Sequence, residues 1–284
     1  MLPIKKLYIV SKFRTADSKS TSNFNIDLKE SLTMPDDAFF FIDDVIIPHS
    51  WYLINANNKK VYLRIFGAAG QTADRLHVIE LDEGNYDGEG LANHLAKKIR
   101  FSTTPLIFTE FQLLATANYD PSLNIITLWL VSDGNYTGAS PTWKILSDSE
   151  INAYYGETIT SRTSANKVLG ITGLTTNLYN NATPLYTKQV NFQPNSYVTI
   201  RSPNLGTFMT LDSNGGRTII KKVPVTSERG QNIVDNSHSN DPLDCSRMTL
   251  RNLEFFITDE AGNELDLGGQ NISFTIIFLL GPKQ

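Results

Sequence analysis

Residues 272–280 read Ile272-Ser273-Phe274-Thr275-Ile276-Ile277-Phe278-Leu279-Leu280. The first half of this stretch alternates apolar and polar side chains, which predicts a β-strand with one apolar face. The second half is apolar on both faces, and strands of that kind usually lie in the middle of a sheet with both faces covered. The stretch therefore predicts a central strand of a β-protein.

Three other stretches show the same period-two alternation, at residues 24–28, 61–65 and 253–257. The last of them is followed by Asp259-Glu260-Ala261-Gly262-Asn263, which predicts a turn of the hairpin type. Many short strands with β-branched and aromatic residues, separated by turns rich in Gly and Asn, are typical of an antiparallel sandwich or jelly roll.

Helical patterns are few and lie in the middle of the chain. Residues 90–100 place Leu91, Leu95 and Ile99 on one apolar stripe, which predicts an amphipathic helix. A second helix is predicted to begin at Ser147-Asp148-Ser149-Glu150, which has the spacing of a capping box. A third, of a single turn, is predicted at residues 165–169 and ends at Gly170.

The strand-like and helical segments divide the chain. Helices that interrupt a sandwich most simply form an insertion between two of its strands. We therefore expect an all-β fold, an antiparallel jelly-roll sandwich with an inserted domain of mixed β and α structure. The jelly roll is expected from residues 20–66 and 190–284, the insertion from residues 67–189, and a basic N-terminal arm from residues 1–19.

The composition excludes several classes of protein. With 40% hydrophobic and 19% charged residues, the 284-residue chain is globular. Its net charge of −4 argues against a protein whose whole surface binds nucleic acid. Cys245 is the only cysteine, which excludes intrachain disulfides and cysteine-cluster zinc sites. The first apolar run, residues 7–10, is too short for a secretory signal, and residues 272–280 are too short to span a bilayer.

The sequence contains no recognisable catalytic motif. The four histidines, His49, His77, His94 and His238, are far apart and none has the spacing of metal ligands. The G-x-S-x-G sequence of serine hydrolases is absent. A lone Cys245 with no nearby base is typical of a packed side chain. We therefore predict no enzyme activity, no catalytic residue, no metal ligand and no cofactor.

Three further features have both a functional and a structural interpretation. Residues 88–93, Gly-Glu-Gly-Leu-Ala-Asn, are interpreted as a strand-to-helix turn with permissive glycine φ rather than as a dinucleotide loop. The acidic pairs Asp36-Asp37 and Asp43-Asp44 are interpreted as turn and surface residues rather than as acid–base or calcium groups. The tryptophans at positions 51, 129 and 143 could stack on sugar rings, although aromatic residues of a sandwich more often lie in the core or an interface.

The N-terminal segment is basic. Five basic side chains against one acid give residues 1–19 a net charge of +4, and the remainder carries −8 because the whole chain carries −4. Such a segment is either a solvated tail or an arm that contacts an acidic neighbour or nucleic acid. Because an apolar run lies inside it, we favour an ordered arm that pairs with a neighbouring subunit or strand. The candidate contact residues are Lys5, Lys6, Lys12 and Arg14.

The order of the segments resembles the minor capsid, or penton, proteins of virophages, polintons and related double-jelly-roll viruses. The resemblance extends over about residues 20–280. The matching segments are Phe24-Asn25-Ile26-Asp27-Leu28 with Leu32, residues 38–52 ending in Pro48-His49-Ser50-Trp51-Tyr52, Gly84-Asn85-Tyr86 before the helix, Val168-Leu169-Gly170-Ile171, and the closing strands. The usual Trp that opens the second strand is Phe39 or Phe40 here, and Ile171 replaces the usual Phe.

The resemblance implies a structural capsid protein with no enzyme activity. It implies homopentamers at the icosahedral vertices of a virion, an insertion that forms an outer domain, and a major double-jelly-roll capsid protein as a partner. It also implies synthesis in a host cytoplasm, with a host receptor as a further partner and nucleic acid contacted at most through the arm. Pro48, Trp51 and Tyr52 are its signature positions, with packing at a strand end as their structural interpretation.

The alternative function is a receptor-binding or glycan-binding jelly-roll module, similar to a spike or a lectin. If residues 1–19 are an arm, their deletion is expected to preserve the fold and to impair incorporation into capsids.

Overall fold

Two antiparallel sheets are built from the two ends of the chain. The computed structural model describes residues 4–66, 75–103, 113–132, 142–155, 164–171, 178–180, 182–206, 210–212, 215–236 and 242–279. The chain divides into a sandwich unit, Met1–Trp51 with Asn195–Gln284, and an inserted unit, Tyr52–Pro194.

The first sheet of the sandwich unit contains the N-terminal and C-terminal strands side by side. Its order is β1 (Ile4–Val10), β15 (Ser273–Leu279), β3 (Phe39–Pro48) and β12 (Asn232–Asp235), and the short β13 (Leu243–Asp244) also pairs with β3. The second sheet has the order β11 (Ile219–Pro224), β10 (Tyr197–Arg201), β14 (Thr249–Thr258) and β2 (Asn23–Thr33). A short 3-10 turn, Ser11–Phe13, follows β1.

The chain crosses repeatedly between these two sheets. β1, β3, β12 and β15 lie in the first sheet, and β2, β10, β11 and β14 lie in the second. All pairings among these strands are antiparallel. Eight strands in two sheets with this connectivity form a jelly roll. The predicted fold class is therefore confirmed.

The stretch at residues 272–280 is the central strand that its sequence predicts. β15 lies between β1 and β3, and all five of its inner residues, 274–278, are buried. Phe274, Ile276 and Phe278 point into the sandwich, where the Phe255 ring lies 5.1 Å from that of Phe274. Leu280 lies outside the described residues.

The inserted unit contains two small sheets and the helices. One sheet has the order β5 (Arg75–Glu80), β4 (Lys60–Phe66), β8 (Thr142–Ile145), and the other has the order β6 (Leu113–Asp120), β7 (Ile125–Ser132), β9 (Leu185–Tyr186). The helices are α1 (Gly88–Thr103), α2 (Asp148–Tyr155) and α3 (Asn166–Leu169). A second hydrophobic core joins the two sheets with α1 and α3, and it includes Leu91, Leu95 and Ile99 of α1. Ile151 of α2 packs in a smaller cluster with Tyr62 and Leu146.

All three predicted helices are present, and their end signals act as expected. The Ser147 backbone N–H donates to the Glu150 carboxylate at 2.9 Å, and the Glu150 N–H donates to Ser147 Oγ at 3.4 Å, which completes the capping box. Gly170 ends α3 with a φ of 71°, and a Cβ there would lie 2.5 Å from the Lys188 and Gln189 carbonyl oxygens. Only glycine satisfies both conditions.

The structure places the start of the inserted unit at a different residue from the one expected from the sequence. β4 pairs with β5 and β8, and Val61, Leu63 and Ile65 pack in the core of the inserted unit rather than in the jelly roll. Period-two alternation shows that a strand has an apolar face, but it does not show which core that face enters. The chain leaves the sandwich at Trp51 for this reason, and not at residue 66.

The N-terminal segment is part of the sheet. β1 pairs with β15 along its full length, and Ile9 is 1% exposed in the core. Ser11 and Ile272 are joined by two hydrogen bonds of 3.0 Å, in which Ser11 N–H donates to the Ile272 carbonyl and Ile272 N–H donates to Ser11 Oγ. This corrects the expectation that residues 1–19 can be removed without loss of the fold, because their removal uncovers one edge of β15.

We expect Phe255→Ala to lower the free energy of unfolding by about 3–5 kcal/mol, since it opens a cavity in a packed aromatic cluster. The Phe255 ring is fully buried, with Phe24 at 5.6 Å and Phe274 at 5.1 Å between ring centroids. Urea unfolding measures the change. Phe13→Ala is the matched control, because Phe13 is 74% exposed and its truncation should change stability by about 0.5 kcal/mol or less. Similar losses in the two variants would contradict this core.

Candidate assembly surfaces

The signature segment lies where β3 ends. Pro48 pairs with Asn232 of β12, and Trp51 is 4% exposed in the jelly-roll core. Tyr52, the first residue of the inserted unit, is half exposed. The structure therefore brings Pro48 and Trp51 into packing positions at a strand end, and leaves Tyr52 accessible to solvent.

His49, between these residues, has a buried environment that its position in the sequence does not indicate. It is 3% exposed, its ring centroid lies 4.4 Å from that of Trp51, and its Nδ1 lies 2.9 Å from the Ser227 carbonyl oxygen. Burial lowers the pKa of His49, and the charge of Arg229 acts in the same direction, while the hydrogen bond to Ser227 opposes both. No local pattern could reveal this site, because Ser227 follows His49 by 178 residues.

The basic N-terminal residues all lie at the surface. Lys5 and Lys6 are on β1, at the edge of the first sheet, and Lys12 and Arg14 follow it. The Arg14 guanidinium donates to the Ser11 carbonyl at 3.2 Å. Within the described ranges, Lys5, Lys6 and Lys12 form no ion pair. The segment pairs with a strand of its own chain, and its contact with a neighbouring subunit or nucleic acid stays a prediction.

Apolar side chains lie on the outer side of the first sheet, beside Lys6 and the buried pair Thr275 and Asp43. Directly paired residues of a sheet point to the same side. Val234 pairs with Ile46, Phe41 with Ile277, and Ile4 with Leu279, in each case away from the core. We call this surface the apolar face. Its members are Ile4, Tyr8, Phe39, Phe41, Ile46, Val234, Ile277 and Leu279, and five of them are exposed: Ile4 (52%), Tyr8 (71%), Phe39 (38%), Ile46 (39%) and Val234 (52%).

The outer side of the second sheet has the opposite character. A groove of about 340 Å³ crosses β2 and β14, and the carboxylates that line it are Asp17, Asp27 and Glu254. Asn25, Asn204 and Asn252 line it as well, and we call this surface the acidic groove. Hydrogen bonds hold the pKa of Asp17 below its usual value, and the bond from the Thr15 side chain has the largest effect. All three carboxyl groups are exposed, and Arg251 Nε lies 4.0 Å from the Asp27 carboxylate.

The residues considered for metal binding are not brought together in the described part of the chain. No group of three or more His, Cys, Asp or Glu side chains is placed there to hold a metal ion. Cys245 is fully buried, and burial, with the charge of Asp244, raises its pKa to about 12. His77 is buried, His94 is partly buried beside Asp82, and His238 lies outside the described residues.

The acidic pairs differ from one another. Asp36 lies in a turn and accepts a hydrogen bond from Arg247 Nε at 2.9 Å, with both side chains exposed. Asp43 is 5% exposed, which corrects its assignment to the surface. Its neighbour Asp44 has a φ of 48°, at an irregular step in the pairing of β3 with β15, so the simple alternation of the strand is broken there.

The glycine turn before α1 is structural, but not for the reason expected. Neither Gly88 nor Gly90 has a positive φ. A Cβ on Gly88 would collide with the ring of Tyr119, and Gly90 N–H donates to the Asp87 carboxylate at 2.7 Å. Gly88 is therefore required because there is no space for a side chain, and not because its backbone needs a positive φ. The strands on either side of α1 are antiparallel, unlike the parallel strands of a dinucleotide-binding fold.

Two of the three tryptophans are unavailable to a sugar ring. Trp51 and Trp143 are buried, at 4% and 1% exposure, and each lies in a hydrophobic core. Trp129, on β7, is partly exposed. Stacking on a glycan requires an open aromatic face, so only Trp129 fits that role.

Comparison with known proteins identifies a similar fold but no matching sequence family. No protein-family model and no curated protein matches the chain. The crystal structure of the mavirus penton protein matches it with a TM-score of 0.50 and 11% identity, over 97% of this chain and 99% of that one. A cryo-EM structure of the Sputnik virophage matches with a TM-score of 0.47 and 12% identity, over 97% of each chain. The match to the mavirus penton protein therefore shows a similar fold.

The structure also bears on membrane association. Of the helices in the described ranges, none combines the length and the apolar composition needed for a membrane span.

We expect the stability of the chain to fall from about pH 7.5 to about pH 5.5 partly through His49. Its pKa is lower in the folded state than in the unfolded state, so its contribution is complete above the unfolded pKa and is lost as the pH falls toward the folded one. His49→Asn keeps a side-chain donor for Ser227 and removes the titration. Urea unfolding at both pH values should show a smaller loss in the variant, and equal losses would contradict the buried neutral imidazole.

Proposed function

We propose that the chain is a structural capsid protein, the minor capsid or penton protein of a virion, and that it forms homopentamers at the icosahedral vertices. The observation that carries the proposal is the match of nearly the whole chain, jelly roll and insertion together, to the mavirus penton protein. The protein works by assembly and catalyses no reaction.

The surface of the sandwich unit supports an assembling role. A monomeric sandwich usually presents polar side chains on both outer sides, whereas here the outer side of the first sheet carries five exposed apolar residues. Exposed apolar clusters of this kind mark protein–protein contacts. A ring of identical subunits joins one surface patch to a different patch on the next subunit, so the two unlike outer sides suit it.

The remaining partners follow from the same proposal. The ring contacts a major double-jelly-roll capsid protein, and the inserted unit forms the outer domain that meets a host receptor. The basic residues of the N-terminal segment are the candidate contact with nucleic acid, and the protein is made in the host cytoplasm before it enters the virion. A separate lectin-like function gains no support from the two buried tryptophans.

Electron microscopy of capsids tests the proposal. We expect capsids assembled from this chain and a double-jelly-roll major capsid protein to show five copies of the chain at each vertex. In solution, light scattering should detect rings with five times the 31.7 kDa mass of one chain. Capsids that carry the chain away from the vertices, or that lack it, would contradict the proposal, and so would turnover of a substrate by the purified protein.

A further inference from the structure

Arg229 is a partly buried cation for which the described part of the chain supplies no partner. Its Nε is buried and has no hydrogen-bond acceptor there. Burial lowers the pKa of the guanidinium, and no described carboxylate opposes that effect. Arginine keeps its charge even when it is buried, so Arg229 is an uncompensated positive charge, which lowers the stability of the isolated chain.

The other two partly buried cations described in the sandwich unit have acidic partners. Arg201 Nη1 lies 2.9 Å from the Asp212 carboxylate, and Lys221 Nζ lies 3.3 Å from the Asp235 carboxylate. Both pairs are largely enclosed, with side-chain exposures of 14% or less. The fold therefore pairs such cations within the chain, and Arg229 is the exception.

Arg229 lies in the loop that joins β11 to β12. Ser227 Oγ, in the same loop, is also buried without a hydrogen-bond partner in the described ranges. The backbone fixes this loop against the end of β3, because Gly230 N–H donates to the His49 carbonyl and His49 N–H donates to the Gln231 carbonyl, each at 2.9 Å. One well-held loop therefore carries two donors that lack acceptors.

The groups around these donors favour a single carboxylate as the ligand. A guanidinium binds a carboxylate through parallel hydrogen bonds, and a hydroxyl can donate a further one. A polyanion such as nucleic acid requires several neighbouring cations, whereas here the exposed Glu228 adjoins Arg229. The strand pair that the loop enters, β3 with β12, exposes Ile46 and Val234 by 39% and 52%. An arginine together with exposed apolar side chains is typical of a protein–protein interface.

We propose that Arg229, with the Ser227 hydroxyl, binds a carboxylate side chain of a neighbouring protein chain in the capsid. The inference rests on the proposed function and specifies one contact that the assembled chain makes. The Arg229 Nε–H and the Ser227 O–H are the donors, and the carboxylate oxygens are the acceptors. On assembly the guanidinium gains the partner that it lacks in the isolated chain, so the contact favours the assembled state.

Thermal unfolding tests whether the charge is uncompensated in the isolated chain. Arg229→Met keeps a side chain of similar length and removes the charge, so the melting temperature should rise. Arg201→Met is the matched comparison and should lower the melting temperature, because it removes the ion pair with Asp212. A lower melting temperature in Arg229→Met would assign Arg229 a structural role and overturn the inference.

Incorporation into capsids tests the contact itself. When the chain is assembled with a double-jelly-roll major capsid protein, Arg229→Met should reduce its amount per capsid about tenfold or more. Arg229→Lys keeps the charge but loses the planar fork, and its incorporation should be intermediate. Arg251→Met is the control, because the same charge is lost from a side chain that is 67% exposed, and incorporation should be unchanged.

Crosslinking identifies the chain that supplies the carboxylate. A carbodiimide joins an amine to a carboxylate in direct contact, with loss of water. In capsids, the lysine introduced by Arg229→Lys should be joined to an Asp or Glu of another chain. Mass spectrometry of the crosslinked peptides then shows whether that chain is a second copy or the major capsid protein. Crosslinks from this lysine only to residues of its own chain would contradict the inference.

The outcomes separate this inference from the proposed function. Capsids that carry Arg229→Met at the vertices in normal amounts overturn the inference and leave the penton role standing. If inorganic phosphate raises the melting temperature of the unchanged chain but not that of Arg229→Met, the site belongs to a free anion, and the inference is again overturned. If the unchanged chain is absent from capsids, the proposed function itself fails.

Discussion

The burial of β15 between β1 and β3 is the constraint on which the jelly roll depends. β15 is the last described strand, and it pairs with β1, the first described strand. Its side chains Phe274, Ile276 and Phe278 fill the core from the middle of the first sheet. Because β1 and β15 are far apart in sequence, their pairing has a loop-closure cost that contacts between sequence neighbours do not have. A segment inserted between β3 and β10 must then leave the sandwich and return to it, which Tyr52–Pro194 does with a core of its own.

Local signals allowed much of the fold to be predicted. The strand at residues 272–280, the capping box of Ser147 and Glu150, and the helix end at Gly170 each depend on residues that are neighbours in sequence. Period-two patterns, capping side chains and a left-handed glycine act within a few residues, and so they can be recognised without knowledge of the tertiary structure. The jelly-roll class follows from the number and character of such strands.

Other features could not be predicted because they depend on partners distant in sequence. The apolar side chains of β4 pack in the core of the inserted unit, and the alternation of the sequence does not indicate which core they enter. His49 meets Ser227, and Gly88 makes room for Tyr119, through contacts that only the folded chain creates. The sequence of β15 shows apolar residues on both sides of the strand. It does not show that β1, β3 and β12 expose apolar residues on the same side of the sheet.

The difference between the two outer sides also limits how copies can combine. A two-fold contact requires a patch that complements itself. The acidic groove does not meet this condition, because its carboxylates would repel those of a second groove. The exposed apolar residues of the first sheet carry no such restriction, since apolar contacts have no preferred direction. The two sides of the sandwich unit therefore differ in the partners that they admit.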